Sequence, residues 1–179
     1  KGMIYMNTIR LISPTIEYKQ QIIDYREQFV NEEDGIHGSS GLANAPSIEQ
    51  WLEEIENARD ITTVREGWVP AEQYIAVNEE SKIVGMLNFR KNSNEFLLQS
   101  AGHIGYSVAP SERRKGYATK MLQLATQEAP KYDLTKVLIT CTDNNLGSIG
   151  VIENNGGILE DIRIDPHDNE LTRRYWITI

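Results

Sequence analysis

Cysteine is almost missing: Cys141 stands alone among 179 residues. No intrachain disulfide can form, and a reducing, cytoplasmic setting is the expectation. Long apolar runs are missing as well. None approaches the roughly 18 residues needed to cross a bilayer, and the start, KGMIYMN, lacks the charged and apolar regions of a secretory signal. We therefore expect a soluble protein with no membrane partner. Basic residues are in the minority, 18 against 26 acidic, for a formal net charge of −8. That weighs against nucleic acid as a partner, whose binding depends on a basic face, and suits cationic ligands. There is no internal repeat or low-complexity tract, and no metal is expected. Lys1 and Gly2 precede the first methionine, so residues 1–6 are a possible tag or disordered start and the rest is expected to be one domain. A domain of this size buries roughly 70% of its unfolded surface.

What is present is periodic. Tyr18, Ile22, Tyr25 and Phe29 recur at helical spacing, so residues 15–32 read as an amphipathic helix. EDGIHGSSGLANAP, residues 33–46, has no period and exceeds the usual connection; it is either a substrate-facing lid or a surface segment. Ser47 and Gln50 form a capping pattern ahead of Ile48, Trp51, Leu52 and Ile55. EQYIAVNEE (72–80) and KIVGMLNFRK (82–91) read as a hairpin turning at Glu80-Ser81, and AGHIGYSVAP (101–110) as a third strand stopped by Pro110. A helix follows over 115–128, with Ala118, Met121, Leu122 and Ala125 on one face, then the apolar strand KVLITCT (136–142). Residues 144–155 read as a helix with Leu146, Ile149 and Ile152 inward and Gly156 or Gly157 at its end; ILEDIRI and ELTRRYWITI close the chain as strands. The order is α/β: a mixed sheet with helices packed on it, and one crossover, from Pro110 to Lys136, of the length of a parallel βαβ unit. The last strand could present a free edge for a homodimer or pair internally. Trp68 and Trp176 read as core or interface.

One stretch runs against the acidic background. SERRKGYATKML, residues 111–122, sets Arg113, Arg114 and Lys115 before Gly116 at a helix start. Cations there oppose the helix dipole unless an anion lies between. Free N–H groups, a residue without a side chain and three positive charges suit a phosphate. The dipole alone is worth about 0.3 to 1 kcal/mol at an exposed site, so several groups must converge. The three-glycine dinucleotide motif and the P-loop are both excluded, since Tyr117 follows Gly116.

Arg113-Arg114-Lys115-Gly116-Tyr117-Ala118, after the strand GHIGYSVAP and before a helix, resembles the acetyl-CoA motif Arg/Gln-x-x-Gly-x-Gly/Ala of the GCN5-related N-acetyltransferase (GNAT) superfamily. Downstream, Asn145 and Ser148, leading to the glycine turn at Gly157, are similar to that family's Asn-x-x-Ser segment. The wording RRKGYATKML with VIENNGG is similar to a bacterial group of acetyltransferases. The resemblance is close over residues 101–157. It implies that the backbone of residues 114–119, including Thr119, wraps the diphosphate of coenzyme A. It also implies that the pantetheine arm lies between two splayed parallel strands, 103–109 and 136–142. Tyr106, Ser107 and Val108 would offer main-chain partners, and Asn145 and Ser148 would reach the far arm. The activity implied is acetyl transfer from acetyl-CoA to a primary amine of a small molecule or peptide; a CoA-binding module without transfer chemistry, or transfer of a longer acyl group, are the alternatives.

A lysine-like amine of pKa near 10.4 is mostly charged at pH 7, so deprotonating it costs about 4 to 5 kcal/mol and calls for help. The family often places a glutamate at about the position of His103, which makes His103 the candidate base. Many relatives carry a tyrosine seven residues after the asparagine to protonate the leaving thiolate, but Ile152 stands there. Tyr106, Cys141 or a bound water could substitute, or the thiolate could leave unaided, since a thiol pKa lies near 8.5. For the acceptor, Asp34, His37, Ser39 and Ser40 in the long loop could line the site, with Glu32 and Glu33 attracting an ammonium group.

Overall fold

The computed structural model describes residues 8–179; residues 1–6, expected as a tag or disordered start, lie outside the described part. The hairpin of β2 (Ala71–Asn78) and β3 (Ile83–Arg90) is its centre. Seven of eight residues in each strand are buried, because helices cover both faces. Alternation divides the side chains. Ile75, Val77 and Met86 pack under α1 (Lys19–Glu27) and α2 (Ile48–Asn57), while Ala76, Leu87 and Phe89 pack under α3 (Tyr117–Thr126) and α4 (Leu146–Asn154). The turn is closed by Asn78, whose Oδ1 accepts from the N–H of Glu80 (3.1 Å) and Lys82 (2.9 Å).

Helix α2 starts as expected: the Ser47 hydroxyl accepts from the Gln50 N–H at 3.1 Å, and Ile48, Trp51 and Ile55 are buried. Burying each such apolar side chain is worth about 1.5 to 3 kcal/mol, which fixes α2 against the hairpin. The expected helix over 15–32 is shorter, a 3₁₀ turn and then α1, with turns through Asn31.

The expected single mixed sheet resolves into two. One is β1 (Ile9–Ile12), β2, β3 and β4 (Ile104–Val108) in spatial order; the other is β5 (Lys136–Thr142), β7 (Leu171–Thr178) and β6 (Ile158–Ile164). Every strand pair in both is antiparallel. No ladder joins β4 to β5, and the two meet where the His103 N–H donates to the Leu138 carbonyl at 2.7 Å and the Leu138 N–H donates to His103 Nδ1 at 2.9 Å. The gap beyond that clasp is the splay the resemblance implies.

Two further expectations change, and two open choices narrow. Residues 97–101 form a π-helical turn, so β4 begins at Ile104 rather than at Ala101; such turns recur at functional sites. Strand β7 is central in its sheet, leaving β6 with the free edge. Leu146, expected inward, is 78% exposed at the start of α4; Trp68 is 63% exposed beside Arg65, which excludes the core and leaves the interface reading.

Candidate active site

The long loop settles on β4. Gly38 has φ +68, and a Cβ there would stand 2.3 Å from the Gly105 carbonyl oxygen, so only glycine lets the loop lie this close. A half-buried polar network fastens it: Gln73 Nε2 donates to the Gly38 carbonyl (2.8 Å), the Ser40 hydroxyl donates to Gln73 Oε1 (2.8 Å), and Asn88 Nδ2 donates to the Ser40 hydroxyl (3.0 Å). Ser39 is buried, its hydroxyl donating to the Ile36 carbonyl and its own carbonyl accepting from Trp51 Nε1, both at 2.7 Å. Both serines hold the loop: the burial of Ser39 corrects the expectation that it faces a substrate, while Ser40 remains exposed. Asp34 and His37 are exposed.

After β4 comes the basic turn. Gly116 has φ +82, a left-handed conformation that disfavours any side chain, and a Cβ there would meet no protein atom within 4 Å. The main-chain N–H groups of residues 116–119 have no acceptor among the described residues, as the first turn of a helix requires. Glu112, buried, arranges the charges: it accepts from Lys115 Nζ and Lys82 Nζ, both at 2.7 Å, and Lys115 first, then Lys82, hold its carboxyl below the usual range. Arg113 pairs with Glu32 at 3.1 Å and lies over the Phe29 ring. Arg114, at φ +63, has no ion pair among the described residues. Tyr117 is buried, so only its backbone faces the turn, while Ala118 and Thr119 are partly exposed.

On β4, Ser107 and Tyr106 point to opposite layers. The Ser107 hydroxyl bonds the Tyr25 hydroxyl at 2.9 Å on α1, and the Val108 carbonyl accepts from Arg113 Nε at 3.4 Å. Tyr106 packs toward α3 and α4. Its hydroxyl is buried with no hydrogen-bond partner among the described residues, and burial pushes it up to about 12, with Ser148 the main opposing influence. Cys141 on β5 is pushed up to about 11, also by burial. Both groups stay protonated at neutral pH. Asn145 caps α4, accepting from the Ser148 N–H at 3.0 Å, and Ile152 is wholly buried.

His103 is buried at 4% exposure, and burial first, then Arg90, keep it below its ordinary pKa. Its Nδ1 lone pair is occupied by the Leu138 N–H, so the neutral ring carries its proton on Nε2. That arrangement opposes a role as base: the lone pair such a role needs is the one that clasps β5. The sequence signals for this clasp were weak, since a histidine before a strand looks alike in either role.

The residues present fit a CoA-like ligand. An unpartnered buried hydroxyl on β4, open space at Gly116, unbonded amides in the turn after β4 and the missing ladder between β4 and β5 are the features that suit it. A profile described as the acetyltransferase (GNAT) family matches residues 42–156, and the chain belongs to that family. It is an acetyltransferase, of a family whose acyl donor is acetyl-CoA. No curated protein matches the sequence significantly. Among solved structures, an acetyltransferase from Salmonella typhimurium that modifies the N-terminal serine of a 50S ribosomal subunit protein has 20% identity and a TM-score of 0.67, over 96% of this chain and 95% of that one. Mutant forms of the spermidine/spermine N-acetyltransferase SpeG from Vibrio cholerae give 13%, 0.66, 95% and 93%. The microcin self immunity acetyltransferase MccE, in complex with acetyl-CoA and AMP, gives 17%, 0.65, 96% and 92%. At these identities the likeness is one of fold.

Proposed function

We propose that this protein transfers the acetyl group of acetyl-CoA to a primary amine of a small molecule or peptide. The observation that supports the reading is the missing ladder between β4 and β5, together with the unpartnered Tyr106 hydroxyl on β4 and the unbonded amides of Gly116 to Thr119 in the turn that follows it. Bound there, acetyl-CoA supplies a thioester that a neutral amine attacks, releasing a thiolate. Arg114 and Lys115, the latter steered by Glu112, supply positive charge beside the amides. Tyr106 keeps its proton; with its pKa pushed to about 12, full transfer to a thiolate of pKa near 8.5 is uphill by about 5 kcal/mol, so the hydroxyl acts as a hydrogen-bond donor. On the other face, Gly38 fixes the loop over Gly105, and we assign the exposed His37 and Asp34 of that loop to the acceptor's entrance. His37 is the imidazole we assign to receiving the amine's proton, in place of His103.

Thiol release measured against a broad panel of primary amines tests this. Release with at least one amine, dependent on the panel compound, supports transfer. Tight CoA binding with no release across the panel would instead favour the non-catalytic CoA-binding module, which the burial of Ile152 at the usual acid position permits.

We also propose a homodimer through β6, the edge strand. Leu159, Ile162 and Ile164 stand opposite Tyr175, Arg173 and Leu171 of β7, hence on one face, and with Leu171 they are 41% to 61% exposed. An apolar free edge invites a strand. A second copy suits it best, because antiparallel pairing centred on Ile162 sets Asp161 of each copy opposite Arg163 of the other.

A further inference from the structure

Among the described residues most charges withdrawn from water have a partner: Asp165 is buried without an ion pair, but it accepts from the Ser100 hydroxyl and the His167 N–H. Glu72 accepts Arg59 (2.8 Å) and Lys91 (3.1 Å), Glu112 accepts Lys82 and Lys115, and Arg174 holds Glu160 and Asp161. Arg90, the last residue of β3, has no carboxylate partner among the described residues. Its Nη1 donates to the carbonyls of Ala101 (3.1 Å) and Gly102 (3.3 Å). Nη2 and Nε make no hydrogen bond among the described residues, and Nη2 lies 3.5 Å from where a Cβ of Gly105 would stand, on the face that Gly38 crosses. Burial lowers this guanidinium to about 10, as expected of a cation short of a counter-charge.

Two more donors gather nearby. The His103 ring, next to the carbonyls that Arg90 holds, carries its proton on Nε2 because Nδ1 accepts from Leu138. Trp176, with its ring centre 6.3 Å from that of His103, has a buried Nε1 with no acceptor among the described residues. These donors lie near a cation that has no ion-pair partner among the described residues. An uncompensated charge of this kind costs stability unless something else supplies the partner.

The geometry points to a carboxylate on the acceptor: the amine that this enzyme acetylates also carries a carboxylate, which Arg90 receives through Nη2 and Nε. The inference rests on the acetyl-transfer reading above. It assigns the two ends of one acceptor, an ammonium toward the acidic loop mouth of Glu32 to Asp34 and a carboxylate toward Arg90. The carboxylate could be the α-carboxylate of a free amino acid or an acidic side chain in a short peptide; the recognising chemistry is shared.

The test compares common L-amino acids with their carboxamides, and short peptides with acidic side chains with their amide counterparts, by thiol release for the wild type, Arg90→Gln and Arg90→Lys. Thermal melts confirm that each variant is folded. The wild type should prefer the carboxylate member of its best pair, and Arg90→Gln should raise KM for that member by about 30-fold or more. KM for acetyl-CoA should hold, and Arg90→Lys should recover part of the preference. Which arm shows the preference identifies the carboxylate's source. Calorimetry with N-acetylated amino acids and peptides against their amides needs no turnover: heat with the acids alone, lost in Arg90→Gln, supports the site even if no free amine is acetylated, in which case the transfer reading fails separately. Equal handling of acid and amide by the wild type, or an equal effect of Arg90→Gln on both, would overturn it.

Discussion

Gly116→Ala separates what this turn does for the fold from what it does for the ligand. The residue sits at φ +82, and an added Cβ would find no protein atom within 4 Å. Steric overlap therefore contributes nothing to the stability change. What remains is left-handed strain, about 1 to 2 kcal/mol for a residue with a Cβ. At about 2 to 4 °C per kcal/mol for a domain of this size, the melting temperature should fall by about 2 to 8 °C. Ligand binding should suffer more. A methyl group in that open space pushes the diphosphate off the amides of residues 116–119, and each charge-assisted hydrogen bond lost is worth about 1.5 to 3 kcal/mol, which is a fall in CoA affinity of about 10- to 150-fold. Calorimetric titration of CoA at 25 °C, with both proteins folded, measures it. An unchanged Kd alongside the expected modest melting shift would refute the reasoning, because it would mean that the space beside Gly116 is not where the phosphates lie.

Other outcomes follow from particular side chains. Tyr106→Phe removes a buried hydroxyl that has no partner, so the ligand-free protein should melt higher, by up to about 1 to 3 kcal/mol of stability, while kcat falls at least about tenfold with little change in KM for acetyl-CoA. Glu112, whose carboxyl lies below its ordinary value of 4.5 chiefly through Lys115, adds stability that is complete above pH 4.5 and fades as pH falls through the lowered value. Chemical denaturation of Glu112→Gln should accordingly show a deficit at pH 7 that vanishes in acid, and a deficit constant across that range would contradict the pairing. Ile162→Lys should convert a dimer to a monomer in light-scattering chromatography without loss of helix signal; a wild type that is already monomeric would end the β6 proposal.

Local rules carried much of this structure into the sequence. Ser47 with Gln50, the hairpin turn around Glu80-Ser81 and the apolar residues of β2 and β3 each act over a few residues and formed close to where the sequence placed them, with the turn widened to Asn78–Lys82 by the Asn78 side chain. The basic turn was legible for the same reason, since a glycine at a helix start after three cations has few other uses. Long-range matters were not legible. That β7 lies between β5 and β6 depends on strand pairing across the chain. The clasp of His103 on Leu138, 35 residues away, consumes the lone pair that made His103 look like a base. Ser39 and Ser40 look like polar loop residues in the sequence, and only their contacts with Ile36, Gln73 and Trp51 reveal them as fasteners. Arg90 gave no signal, because what marks it is the lack of a carboxylate partner among the described residues.

The account stands or falls on where coenzyme A lies, and a crystal structure of the complex reads that directly. It should show the diphosphate against the amides of Gly116 to Thr119 and the pantetheine arm between β4 and β5, with its sulfur within hydrogen-bond reach of the Tyr106 hydroxyl. CoA bound elsewhere, or β4 and β5 zipped together by their own hydrogen bonds, would contradict it.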